Sequence, residues 1–144
     1  MAIIKTIKKL IFLSLAVLAI VGCTFTTTTI KDPVFNKSTD SIQMDLSKIV
    51  SCQEINVGGK EISKNNKKNS ELEIDITNGQ NIPTDQNEMI ALAKQLAIVI
   101  KKSLQNDNEY QTYKVLFVTK TEKSGVTEKS FKGKIFKSEE LTVQ

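Results

Sequence analysis

Eight residues, Ser70 to Thr77 (SELEIDIT), alternate so strictly that they dictate half of a sheet. Leu72, Ile74 and Ile76 point one way, and Glu71, Glu73 and Asp75 point the other. Such a strand has one dry face and one wet face, so something apolar must cover the dry one. The next segment supplies the cover. Pro83-Thr84-Asp85 opens a helix, with Asp85 as N-cap and Glu88 as the acid three residues on. Met89, Leu92, Ala93, Leu96, Ala97, Val99, Ile100 and Leu104 form its apolar face, and Asn106-Asp107-Asn108 ends it. Ile98 falls on the polar side, between Lys94 and Lys101/Lys102, and is expected to be partly exposed or covered by the segment 24–40.

Two further strands follow. Tyr110–Thr121 is apolar on both parities at Val115, Leu116, Phe117 and Val118, which predicts an interior strand. Glu122–Gly125 makes a turn. Val126–Phe136 then carries Phe131 and Ile135 on one face around Gly133, with lysines opposite, as suits an edge. Upstream, residues 48–57 (KIVSCQEINV) form the first strand, broken by Gly58-Gly59. The lysine-rich stretch 60–69 is a mobile hairpin loop or a short polar extension, and it reads as a solvated loop ahead of a basic binding patch. Asp40-Ser41-Ile42 reads first as a helix start, with Asp40 or Ser41 capping a short turn through Leu46. The same tripeptide also resembles a bacterial O-glycosylation motif at Ser41. Leu141 and Val143 are positioned to dock the tail. The expected fold class is therefore α+β: a two-layer domain with a four-stranded, mostly antiparallel sheet and one helix on one face, in the order strand, strand, helix, strand, strand.

The first 23 residues are an address. Lys5, Lys8 and Lys9 precede thirteen apolar residues, Leu10–Gly22. That run is too short to span a bilayer, which takes about 20 residues as a helix, and it fits the h-region of a signal peptide. It ends in Ile20-Val21-Gly22-Cys23, an aliphatic residue, a small residue and a cysteine at the lipobox spacing. This resembles the lipobox of bacterial lipoproteins. The resemblance covers residues 1–23 and implies cleavage before Cys23, with diacylglycerol on its thiol and palmitate or a similar acyl chain on the new amino group. The domains expected are a cleaved signal peptide over 1–22, a lipidated tether over 23–40 rich in threonine, and one α+β domain over 41–144. Thr24, in place of aspartate, implies sorting to the outer membrane. The tether has no run of acids of the kind that directs surface export. The expected location is the cell envelope, on the outer membrane facing the periplasm.

Composition removes several functions. The chain has 144 residues, no histidine, no arginine and two cysteines. Histidine bases and histidine metal ligands are excluded. The formal charge of +4 mostly belongs to the signal peptide: without Lys5, Lys8 and Lys9, the 20 lysines fall to 17 against 16 acids. Net charge thus gives no support to a nucleic-acid partner or a polybasic membrane contact. Once Cys23 holds lipid, Cys52 has no partner for an intrachain disulfide, and it is expected as a small buried apolar residue.

The triad Glu71, Glu73, Asp75 is the one cluster that invites a metal or acid/base site. Residues two apart on a strand lie about 6.6 Å apart, wide for one metal shell. Lys114, Lys120, Lys132 and Lys134 offer a plainer role as cross-strand partners. No nucleophile frame and no phosphate loop is present. No catalytic, cofactor-binding or metal-binding residue is expected, no cofactor and no small-molecule substrate. The expected partners are the membrane, through Cys23, and another envelope protein bound by a non-catalytic or structural domain. The alternative is an inhibitor or immunity-type lipoprotein that blocks a toxin or hydrolase at the envelope. An exposed Tyr110–Tyr113 pair would favour a compact protein interface.

Overall fold

The computed structural model describes residues 26–142. The segment expected as a signal peptide, the expected lipid-attachment residue Cys23 and Val143 lie outside the described residues. The elements run β1 (Thr26–Ile30), α1 (Thr39–Ser47), β2 (Glu54–Lys64), β3 (Lys67–Thr77), α2 (Gln86–Ser103), β4 (Thr112–Lys123) and β5 (Val126–Lys137). The class is α+β, with five strands rather than four and two helices rather than one. Strand order follows the chain, β1-β2-β3-β4-β5.

Three of the ladders are antiparallel, and β3 pairs with β4 in parallel. The sheet is therefore mixed. The cause is the connection. β2–β3 and β4–β5 are tight hairpins, but α2 carries the chain from the end of β3 back to its start. From there the next strand can only run parallel. The doubly apolar β4 lies inside the sheet, between β3 and β5, as its sequence implies.

The first hairpin is longer than its polar composition suggests. Residues 60–69 are not a loop: β2 and β3 remain paired out to Lys64 opposite Lys67. Asn65 and Asn66 make the turn with φ of 51° and 62°, and asparagine tolerates that left-handed region better than most residues. Gly58-Gly59 does not end a strand either. Both glycines sit inside β2. A Cβ on Gly59 would collide with the Lys31 carbonyl oxygen and the Tyr110 ring. Glycine lets another stretch of backbone cross there.

That stretch belongs to the segment expected to be a tether. Thr26–Ile30 is instead an edge strand on β2, with Thr26 opposite Lys64 and Ile30 opposite Lys60. Farther on, Phe35 bridges to Leu104, the Asn36 N–H donates to the Ser103 carbonyl at 2.8 Å, and the Gln105 N–H donates to the Val34 carbonyl at 2.7 Å. Four threonines with β-branched side chains suit an edge strand as well as a linker. Ser38, rather than Asp40 or Ser41, caps α1, accepting from the Ser41 N–H.

The core lies between the helices and one face of the sheet. Leu72, Ile74, Ile76, Leu96, Ile100 and Val115 are fully buried, and Ile42 and Leu46 bring α1 into the same cluster. Leu92 and Ile98 are half-buried against it. Asp85 caps α2 by accepting from the N–H groups of Asn87 and Glu88 at 2.9 and 3.0 Å. Leu141 docks into the core at the other end of the chain.

Candidate functional site

Register decides which side chains share the sheet face opposite the helices. The pairs Lys60–Glu71, Gly58–Glu73 and Asn56–Asp75 on β2/β3 continue into Glu73–Lys114 and Asp75–Leu116 on β3/β4. From there the face runs into Leu116–Gly133, Val118–Phe131 and Lys114–Ile135 on β4/β5. This face therefore joins the acidic triad to the apolar side of β5. No helix among the described residues packs on it.

Its centre is a chain of ion pairs. Glu73 Oε2 accepts from Lys60 Nζ at 3.0 Å and from Lys114 Nζ at 2.8 Å. Lys60 Nζ also reaches Glu71 Oε1 at 3.1 Å. Burial pushes the Glu73 carboxyl up, but the hydrogen bonds and charges of Lys114 and Lys60 outweigh it and hold the group below the usual glutamate value. The hydrogen bond to Glu73 correspondingly raises Lys60, against the opposing effect of its burial. Two of the three carboxylates are thus neutralised in place.

Asp75 is different. Its Oδ1 is buried with no hydrogen-bond partner among the described residues. Burial, followed by the charge of Glu73, raises its carboxyl above the usual aspartate value. Gly58 leaves a gap opposite Glu73, and a groove of ≈ 370 Å³ runs beside it, lined by Thr28, Ile30, Gly58, Lys60, Glu73 and Asp75. No group of three or more metal-ligating side chains comes together among the described residues.

Apolar residues flank the ion pairs. Ile30 is 81% exposed at the β1 edge, and Phe131 and Ile135 are 58% and 50% exposed on β5. Gly133, between the last two, is required because a Cβ there would strike the Val115 carbonyl. The Leu116 side chain lies close by. Apart from Phe136, β5 is exposed along its whole length.

The expected partners of the triad are redistributed. Lys114 takes its expected place. Lys120 approaches Glu54 at 3.7 Å instead. Lys132 and Lys134 pair with Phe117 and Val115, so they lie on the opposite face from the triad. Lys60 was missed because its segment reads as a loop. No alternation of apolar and polar residues over 60–64 marks the segment as a strand.

Two other candidates change character. Tyr110 and Tyr113 are not an exposed interface pair. They are 1% and 0% exposed, packed edge to face with centroids 6.4 Å apart. Cys52 is free and half-buried, packed against the core, and burial pushes its thiol up. It therefore stays protonated at neutral pH, unlike a reactive cysteine. No helix among the described residues is long and apolar enough to cross a membrane. Comparison with protein-family models, with curated proteins and with solved structures yields no match to this chain.

Proposed function

We propose that this chain is a bacterial lipoprotein, anchored through lipid on Cys23, whose domain acts by binding another envelope protein and not by catalysis. The signal peptide 1–22 and the lipobox cysteine support the anchor. Thr24 supports an outer-membrane position facing the periplasm.

One observation carries the binding reading: a sheet face on which no helix among the described residues packs. Glu71 and Glu73, two of the three carboxylates of the triad, are held by Lys60 and Lys114. Phe131 and Ile135 stand in solvent beside them. A self-paired polar centre beside exposed apolar side chains suits a protein contact.

Photo-crosslinking of the lipidated protein in its native envelope tests this. A crosslinker at Phe131 or Ile135 gives one discrete protein adduct, and the same group at Lys94, exposed on α2, gives none. Adducts of equal yield from Lys94, or none from either β5 position, would contradict binding through this face.

A further inference from the structure

The β1–β2 register has a consequence for how the domain meets its membrane. That consequence rests on lipid attachment at Cys23. Only Thr24 and Phe25 separate Cys23 from Thr26. Three residues span at most about 10 Å even when fully extended. Thr26 is the first residue of β1 and pairs with Lys64. Lys64 stands at the turn of the β2–β3 hairpin, whose tip reads Lys64-Asn65-Asn66-Lys67-Lys68 and is exposed throughout. The anchor thus enters the domain beside its most lysine-dense turn.

We propose that this hairpin tip is a docking surface for anionic phospholipid headgroups, with Lys64, Lys67 and Lys68 against the bilayer and the sheet standing up from it. Two properties of the tip support the assignment. First, its charge is free to be used. Lys68 is paired with Glu61 at 2.9 Å, but Lys64 and Lys67 make no ion pair among the described residues. Glu61 is the one acid between Gly59 and Ser70.

Second, the distance suits the force. The attraction of a lysine to an anionic surface dies within a Debye length, about 8–10 Å at physiological salt. A long flexible tether would let the tip wander outside that range, whereas a strand that starts three residues after the anchor keeps it inside. The asparagine turn, with Asn65 and Asn66 both at positive φ, leaves no bulky side chain to hold the lysines off. The opposite end of the sheet is the β4–β5 turn at Ser124-Gly125. Because β3 and β4 run parallel, that turn points away from the hairpin tip, and therefore away from the membrane.

The test uses the full lipidated chain in vesicles of phosphatidylcholine alone, or of phosphatidylcholine with phosphatidylglycerol, each with a trace of headgroup-quencher lipid. In a Cys52→Ala background, a fluorophore is attached through Lys68→Cys at the hairpin tip, or through Thr127→Cys near the far turn. Both positions are exposed and on strands. Quenching at residue 68 is expected to exceed that at residue 127, more so in the anionic vesicles, and to fall with added salt. Each lysine near an anionic surface raises the docked-to-undocked ratio about fivefold, so Lys64→Gln with Lys67→Gln lowers the ratio read from quenching at residue 68 by at least about fivefold. Equal quenching at both positions, or quenching at residue 68 that ignores lipid charge, salt and the two substitutions, overturns the proposal while leaving the anchor intact. A chain that floats with neither vesicle overturns the lipid anchor, and the docking with it.

Discussion

The Tyr110 hydroxyl donates to the carbonyl oxygen of Lys31 at 2.9 Å, across a point where Gly59 leaves room for both. The Lys31 N–H in turn donates to the Gly59 carbonyl at 2.9 Å. The segment that follows β1 is therefore fastened to a buried core tyrosine.

Substitutions at this crossing are expected to rank clearly. Tyr110→Phe removes one hydrogen bond and costs about 1 kcal/mol. Gly59→Ala forces a methyl against the Lys31 backbone and the Tyr110 ring, and costs about 2 kcal/mol or more. Urea unfolding of the chain from Thr24 onward measures both. A Gly59→Ala variant as stable as the parent would mean that Lys31 does not cross there.

Glu73 holds two lysines, so its loss is felt more than that of a solvated carboxylate. Glu73→Gln is expected to cost about 1–2 kcal/mol at pH 7. The sign with pH follows from its lowered carboxyl. Its stabilising contribution is complete above the ordinary glutamate value of 4.5 and is lost as pH falls through the lower folded-state value. Melting curves of parent and Glu73→Gln should converge in acid and separate toward neutral pH. A gap that widened in acid would contradict the ion-pair assignment.

Asp75 behaves in the opposite sense. Its carboxyl is raised, so the folded protein holds that proton more tightly than the unfolded chain does. Stability then falls as pH rises from the ordinary aspartate value of 3.8 through the folded-state value. Asp75→Asn removes this cost. The variant should match or exceed the parent in melting temperature at pH 7, with no advantage below pH 3.8. Marked destabilisation at pH 7 would point to a partner for Asp75 that the unpaired Oδ1 does not have.

The two-layer core sets the scale for these effects. Leu96 is fully buried on α2, and Phe117 is 6% exposed on β4. Leu96→Ala and Phe117→Ala should each cost about 2–5 kcal/mol, as large-to-small core changes do. Lys132→Ala, on exposed β5, should stay within about 0.5 kcal/mol. Calorimetry of the three variants checks the contrast.

What could be read from the sequence was whatever periodicity encodes. SELEIDIT and the face of α2 repeat at 2.0 and 3.6 residues, and their buried sides follow directly. The apolar β4 was legible as an interior strand for the same reason. β1 was not, because four threonines carry no alternation between a wet and a dry face, and all five of its residues are exposed. The strand is specified by its partner, β2. The parallel β3–β4 ladder was hidden too, since direction depends on where α2 returns the chain. The candidate face was half legible. The triad and Lys114 follow from parity. Lys60 and the lining of the groove depend on a hairpin register that polar residues conceal.

Lipid on Cys23 is the claim on which the rest of the function depends, and metabolic labelling tests it most directly. Cells expressing the full chain are grown with labelled palmitate, and the protein is isolated and partitioned in detergent. The expected result is label on the protein and partition into the detergent phase, both abolished by Cys23→Ser. An unlabelled, water-soluble parent protein, or label that persists in Cys23→Ser, would contradict it.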